Sequence, residues 1–246
     1  AGTGSGARLV RNNGDFSLYS DILAYTPGGG TTYAVELDGT GDYVEISGSQ
    51  TYMSTSSPFT FAAWANLDDF DNSYPLLASF RTDQGVPYDI GFSNKVNYRG
   101  VWFGTINCSF ARLDNNSTFS NNTLIHIAIT YTGSSPTSSG IYTLYVNGVD
   151  TSISSAGGFD SSDNVSNIGR GVDTGATELA WDGEIDDVRI YSSELSSSEI
   201  GEIYNSGDGT TASVASNLIG WWKFDEGTGT NAADSSSNSN SGTLNG

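Results

Sequence analysis

Asp38 and Asp42 flank a Gly-rich corner, Asp38-Gly39-Thr40-Gly41-Asp42, whose exposed carbonyls could add oxygens to the two carboxylates. A third carboxylate, Asp186, lies in the stretch Glu184 to Tyr191, where period-two alternation sets it on the apolar side with Val188 and Ile190. A lone charge on that side needs compensation. Calcium supplies it, taking about six to eight oxygens at ~2.3–2.6 Å. Asp38, Asp42 and Asp186 are therefore the expected ligands of a structural Ca²⁺, with Asp187 and Asp225 as further candidates. The other reading has Asp38 and Asp42 bonding turn amides, as Asp commonly does, and a bulge turning Asp186 outward.

A second set, Asn97, Tyr98, Arg99 and Trp102, mixes amide, aromatic and guanidinium groups beside Gly100. Such a set can stack on a sugar face and hydrogen-bond its hydroxyls. The alternative is that Trp102 packs and Arg99 is solvated. Trp64, Phe61 and Trp221 or Trp222 read as core. The single His126, in the alternating strand Leu124 to Tyr131, reads as structural, and Cys108 as a buried, inert thiol. One His and one Cys make no zinc site, and no Ser/His/Asp or Cys/His set can be assembled.

The elements that must position these groups are strands. Thirty-one glycines among abundant Ser, Thr and Asn imply many turns, while 36% apolar and 12% aromatic residues suffice for a core. Alternation marks strands at 33–37 and 44–46, expected to pair around the Gly-rich corner, and at 59–65, 76–80, 88–92, 101–110, 124–131 and 141–146, the last entering Asn147-Gly148, a strong hairpin signal. One helix is expected, with Ser196 as N-cap, Glu199 completing a capping box and Gly207 just past its end. The organisation read from the chain is an arm or edge strand over 1–30, one sandwich over 31–205 and a linker over 206–216. Residues 217–246 are a returning strand that completes the sandwich, followed by a low-complexity polar tail. The net charge of −19 with nine basic residues argues against nucleic acid, and no apolar run approaches the ~20 residues of a membrane helix.

The stretches LDGTGDYVEI (37–46), FTFAAW (59–64), LIHIAITYTG (124–133), YTLYVNGV (142–149) and GEIDDVRIYSSELSSSEIGEIY (183–204) resemble the laminin G-like, concanavalin A-like jelly-roll domains. The resemblance implies an all-β fold, a two-sheet antiparallel jelly-roll sandwich with one short helix near the C-terminal third. It also implies that the Asp38 corner lies near the strand of Asp186. A segment like 218–246 usually opens such a domain; here it closes the chain, and return in cis is expected because 1–30 offers no equivalent strand.

Laminarinase-like hydrolases of that fold carry E-x-D-x-x-E on one strand. The nearest match here, Glu184 to Arg189, ends in Arg189, which can be neither acid, base nor nucleophile. The expectation is therefore a non-enzyme: an extracellular or cell-surface carbohydrate-binding or adhesion module, calcium-stabilised, whose partner is a glycan or cell-surface polysaccharide. The alternative is a virion structural protein that meets other virion or adhesin subunits, such as a phage tail-fibre or capsid-decoration domain. A polysaccharide hydrolase is a third, weaker reading.

Overall fold

The structure, a computed structural model, describes residues 8–11, 33–47, 52–53, 57–68, 75–81, 87–95, 98–105, 108–112, 121–133, 142–151, 166–172, 178–206 and 216–246. In chain order the strands are β1 (Arg8–Arg11), β2 (Tyr33–Asp38), β3 (Tyr43–Ile46), β4 (Phe59–Ala65), β5 (Leu76–Arg81), β6 (Pro87–Lys95), β7 (Tyr98–Thr105), β8 (Cys108–Arg112) and β9 (Ile125–Tyr131). They continue as β10 (Tyr142–Val146), β11 (Val149–Asp150), β12 (Ser166–Ile168), β13 (Arg170–Val172), β14 (Glu178–Ala180) and β15 (Asp182–Tyr191). The helix α1 (Ser197–Ser206) precedes β16 (Leu218–Trp222), β17 (Asn231–Ala232) and β18 (Gly242–Asn245).

Two eight-stranded sheets result. The first has the order β1-β2-β15-β4-β9-β10-β11, with β16 also on β15, and the second runs β17-β18-β3-β12-β5-β6-β7-β8. All pairings among the described residues are antiparallel. Alternation aims Val35, Leu37, Phe61, Ile127, Ile129, Ile185, Val188 and Ile190 of the first sheet at Val44, Ile46, Ala78, Phe80, Ile90, Ile168 and Leu244 of the second, and these form one core.

Three expectations are corrected. First, β2 and β3 are not partners: the Gly-rich corner hands the chain from one sheet to the other, with Gly39 (φ 77°) and Gly41 (φ 81°) in the left-handed region that a side chain would strain. Second, the single strand read over 101–110 is a hairpin. Trp102 pairs with Arg112 and Thr105 with Cys108, so alternation continues past a reversal that the apolar pattern does not mark.

Third, the polar tail is built into the fold. The strand β16 pairs with β15, and β18 pairs with β3. Trp222, fully buried, stacks on Phe80 and donates its indole N–H to the Asn240 carbonyl. Between these strands the Asp234 carboxylate accepts the amides of Trp221, Ser236 and Asn240, so a run of Ser and Asn acquires a defined path without an apolar core of its own.

The helix follows its capping box: the Ser196 amide donates to Glu199 at 2.7 Å, and the Glu199 amide to the Ser196 hydroxyl at 3.4 Å. Leu195 and Ile200 staple its entry, and with Ile203 they pack on Ala62, Ala128, Tyr145 and Tyr191. The helix thus lies on the outer face of the first sheet. It covers part of that face only.

Candidate functional site

Strand β15 positions the site. One side of it pairs with β4; the other is divided end to end, Asp182 to Ile185 pairing with β2 and Val188 to Tyr191 with β16. The ladder shifts register between Asp186 and Arg189, and Asp187 has φ 49°, so an extra residue sits where the partner changes. This bulge inverts the alternation. Ile185, Val188 and Ile190 enter the core, whereas Asp182, Glu184 and Asp186 before the bulge and Arg189 and Tyr191 after it belong to the outer face. The expectation that Asp186 shares the side of Val188 and Ile190 is therefore overturned by one inserted residue.

Beyond the bulge the outer face is closed. Arg189 is fully buried, its Nη2 2.8 Å from the Asp187 carboxylate and its Nε donating to that carboxylate at 2.8 Å. The Trp221 indole N–H donates to the same carboxylate. Burial pulls the guanidinium down, and Asp187 more than restores it, so Arg189 stays charged. The Trp221 ring lies between two cations, Arg189 Cζ 4.5 Å and Lys223 Nζ 4.1 Å from its centroid. Next to this pair Trp64, His126 and Tyr204 pack on one another, with centroids 5.1 Å apart for Trp64–His126, 5.5 Å for Trp64–Tyr204 and 5.7 Å for His126–Tyr204. Burial first, and Arg189 second, push His126 down to about 3, so it is neutral, as a structural histidine should be.

Before the bulge the face is open and acidic. Glu36 is the ladder partner of Glu184, and Asp38 of Asp182. Asp68 is pushed up to about 6 by partial burial, then by Glu184, Asp182 and Glu36. Asn66, 7% exposed, donates its side-chain N–H to Glu184 at 2.6 Å.

The residues expected to hold calcium are placed as follows. Asp38 accepts the Thr40 amide at 2.9 Å, and Asp42, buried, accepts the Asp38 amide at 3.3 Å, so both carboxylates serve the turn. Asp186 accepts the Asp187 amide at 2.8 Å, and Asp187 is committed to Arg189 and Trp221. Asp225 is half-buried after β16, in the turn leading to β17. Among the described residues no three His, Cys, Asp or Glu side chains converge to hold a metal.

Of the expected sugar contacts, Asn97 lies outside the described residues, as do the side chains of Tyr98, Arg99, Trp102 and Cys108. In the backbone Tyr98, Arg99 and Trp102 stand on β7 opposite Lys95, Asn94 and Gly91 of β6. The sequence reading passed over Glu36, Asn66, Asp68, Asp182 and Glu184 as a group. Alternation of Glu36 with Val35 and Leu37, and of Glu184 with Ile185, carried part of that signal.

The concanavalin A-like lectin/glucanases superfamily, a laminin G-like family, matches residues 38–201. No curated protein matches the chain. Among solved structures it is similar to a candidate carbohydrate-binding protein of Bacteroides ovatus (21% identity, TM-score 0.48), covering 89% of this chain and 63% of that one. It is also similar to domain 4 of AbnA, an extracellular arabinanase of Geobacillus stearothermophilus solved with arabinotriose (17% identity, TM-score 0.49, 74% of this chain and 80% of that one). A third likeness is to the enzymatically active domain of tailspike protein 2 of bacteriophage CBA120 (9% identity, TM-score 0.48, 78% of this chain and 30% of that one). The chain thus spans less than two thirds of the Bacteroides ovatus protein.

Proposed function

Since the chain belongs to the concanavalin A-like lectin/glucanases superfamily, we propose that it is a non-catalytic carbohydrate-binding module acting on an extracellular or cell-surface glycan. The family description joins binding and hydrolysis, and the observation that favours binding is the buried Arg189–Asp187 pair. A retaining glycosidase needs two carboxyl groups about 5–5.5 Å apart on one face, one of them able to give and take a proton. The bulge does bring Glu184, Asp186 and residue 189 to one face, the geometry an E-x-D-x-x-E strand requires. At residue 189, however, an arginine is sealed from solvent and held by an acid. It cannot exchange a proton at working pH. No helix of the described residues is long and apolar enough to cross a membrane.

The test is a glycan array together with incubation on β-glucans, agars and alginates. Binding to at least one glycan class without new reducing ends or unsaturated products is expected. Turnover that survives repurification and disappears in Glu184→Gln would overturn the reading.

A further inference from the structure

Among the described residues β16 has one ladder partner, β15, which leaves its other edge without a strand. Such an edge is a template on which a strand from another molecule can add. The sequence suits that use: Leu218-Ile219-Gly220-Trp221-Trp222 carries no charge, and four of its five residues are apolar.

The edge is nevertheless filled, and chiefly by side chains of the polar tail. The Trp221 amide donates to the Asp234 carboxylate at 2.9 Å, and the Trp221 carbonyl accepts the Ser235 amide at 2.7 Å. The Asn240 side-chain amide donates to the Ile219 carbonyl at 3.0 Å. That of Asn238 donates to the same carbonyl at 3.2 Å and to the Leu218 carbonyl at 3.3 Å. Main-chain pairing between tail and β16 is a single bridge, Trp222 with Asp234.

Satisfying these groups does not by itself require the tail. Leu218 and Ile219 are half-buried and Asn238 is exposed, so water reaches this surface. Exchanging a water for a side-chain donor changes stability little. What fixed side chains do, and exchangeable waters do not, is deny the edge to an incoming strand. The Asp234 carboxylate adds a repulsive element: it holds the Trp221 amide that the carbonyl of an added strand would need, and it repels that carbonyl. Two copies meeting edge to edge about a two-fold axis would also bring one Asp234 toward the other.

We infer that the Ser/Asn tail is an edge guard: residues 234–240 occupy the free edge of β16 and prevent a second copy of this chain from extending the first sheet through it. The test compares the parent with the double variant Asn238→Ala, Asn240→Ala. This variant removes both side-chain amides and keeps the main-chain bonds of Asn240 to Asp234 and Trp222. Sedimentation velocity across micromolar to millimolar concentrations is expected to show the variant self-associating roughly tenfold or more tightly than the parent. Amide exchange within 218–222 should slow as the variant associates. Association no stronger than that of the parent, with the melting temperature retained, would overturn the inference. So would association that leaves exchange at 218–222 unchanged, because another surface would then carry it. Should the double variant lose its cooperative melting transition, Asn238→Ala alone is read by the same criteria, since it gives up only the bonds of an exposed side chain.

Discussion

The covered and open halves of the first sheet's outer face share strand β15 yet manage charge in opposite ways. Beyond the bulge one anion, Asp187, meets one cation, Arg189, out of water and with an indole N–H as a third partner. Before it, Glu36, Asp38, Asp182, Glu184 and Asp68 gather charge of one sign at a partly solvated surface. The difference teaches that burial demands pairing, whereas exposure to water tolerates a like-charge cluster at modest cost.

The sharpest way to break the comparison is to unpair the covered half. Arg189→Ala leaves Asp187 buried without its cation and should cost on the order of 3–5 kcal/mol in urea denaturation. The double variant Arg189→Met, Asp187→Asn removes both charges, keeps a residue that accepts the left-handed conformation at 187, and should recover most of that loss. Equal destabilisation by the single and double variants would show that packing, and not charge pairing, holds this half together.

Acid should separate the halves next. His126, pushed down to about 3 by burial and then by Arg189, stays neutral in the native state while the unfolded chain protonates below about 6.5. The native state therefore loses stability as pH falls from about 6.5 toward 3, by up to about 1.4 kcal/mol per pH unit. Asp68 has the opposite sign. Its native carboxyl, raised to about 6 by partial burial and its acidic neighbours, takes up a proton before the unfolded one at 3.8, so acidification relieves the open half. Solvent screening reduces that gain. Denaturation midpoints followed between pH 7 and 4 should fall less steeply in His126→Phe and more steeply in Asp68→Asn. Parallel curves for both variants and the parent would contradict this assignment.

The smallest expected effect lies in the open half alone. Glu184→Gln removes one member of a like-charge ladder pair and should raise stability by roughly 0.2–1 kcal/mol, measured as a higher melting temperature. The gain should be the same in excess chelator and in calcium, because the turn amides and Arg189 already engage Asp38, Asp42 and Asp187. A melting temperature that falls on chelation and ceases to do so in Asp186→Ala would restore calcium to this face.

Local order was legible residue by residue. Alternation in FTFAAWA and IHIAITY placed β4 and β9, Asn147-Gly148 placed the β10–β11 turn, and Ser196 with Glu199 placed the helix start, because each depends on side chains within a few positions of one another. Residues 37–46 and 183–204 carried the family through their motifs. Arg189 alone weakened the case for hydrolysis, since no environment makes a guanidinium a proton donor at neutral pH. Which neighbours those elements would have was decided only in three dimensions. The bulge at Asp187 exists because β15 must change partners from β2 to β16, and β16 is supplied from some thirty residues further along the chain. A one-residue insertion turns every later side chain to the other face, so the fates of Asp186 and Arg189 could not be read from spacing. The pairing of Glu36 with Glu184, and the approach of Asn66 to Glu184, likewise join residues more than a hundred positions apart. Their register is set by the core beneath them, not by the charges they carry.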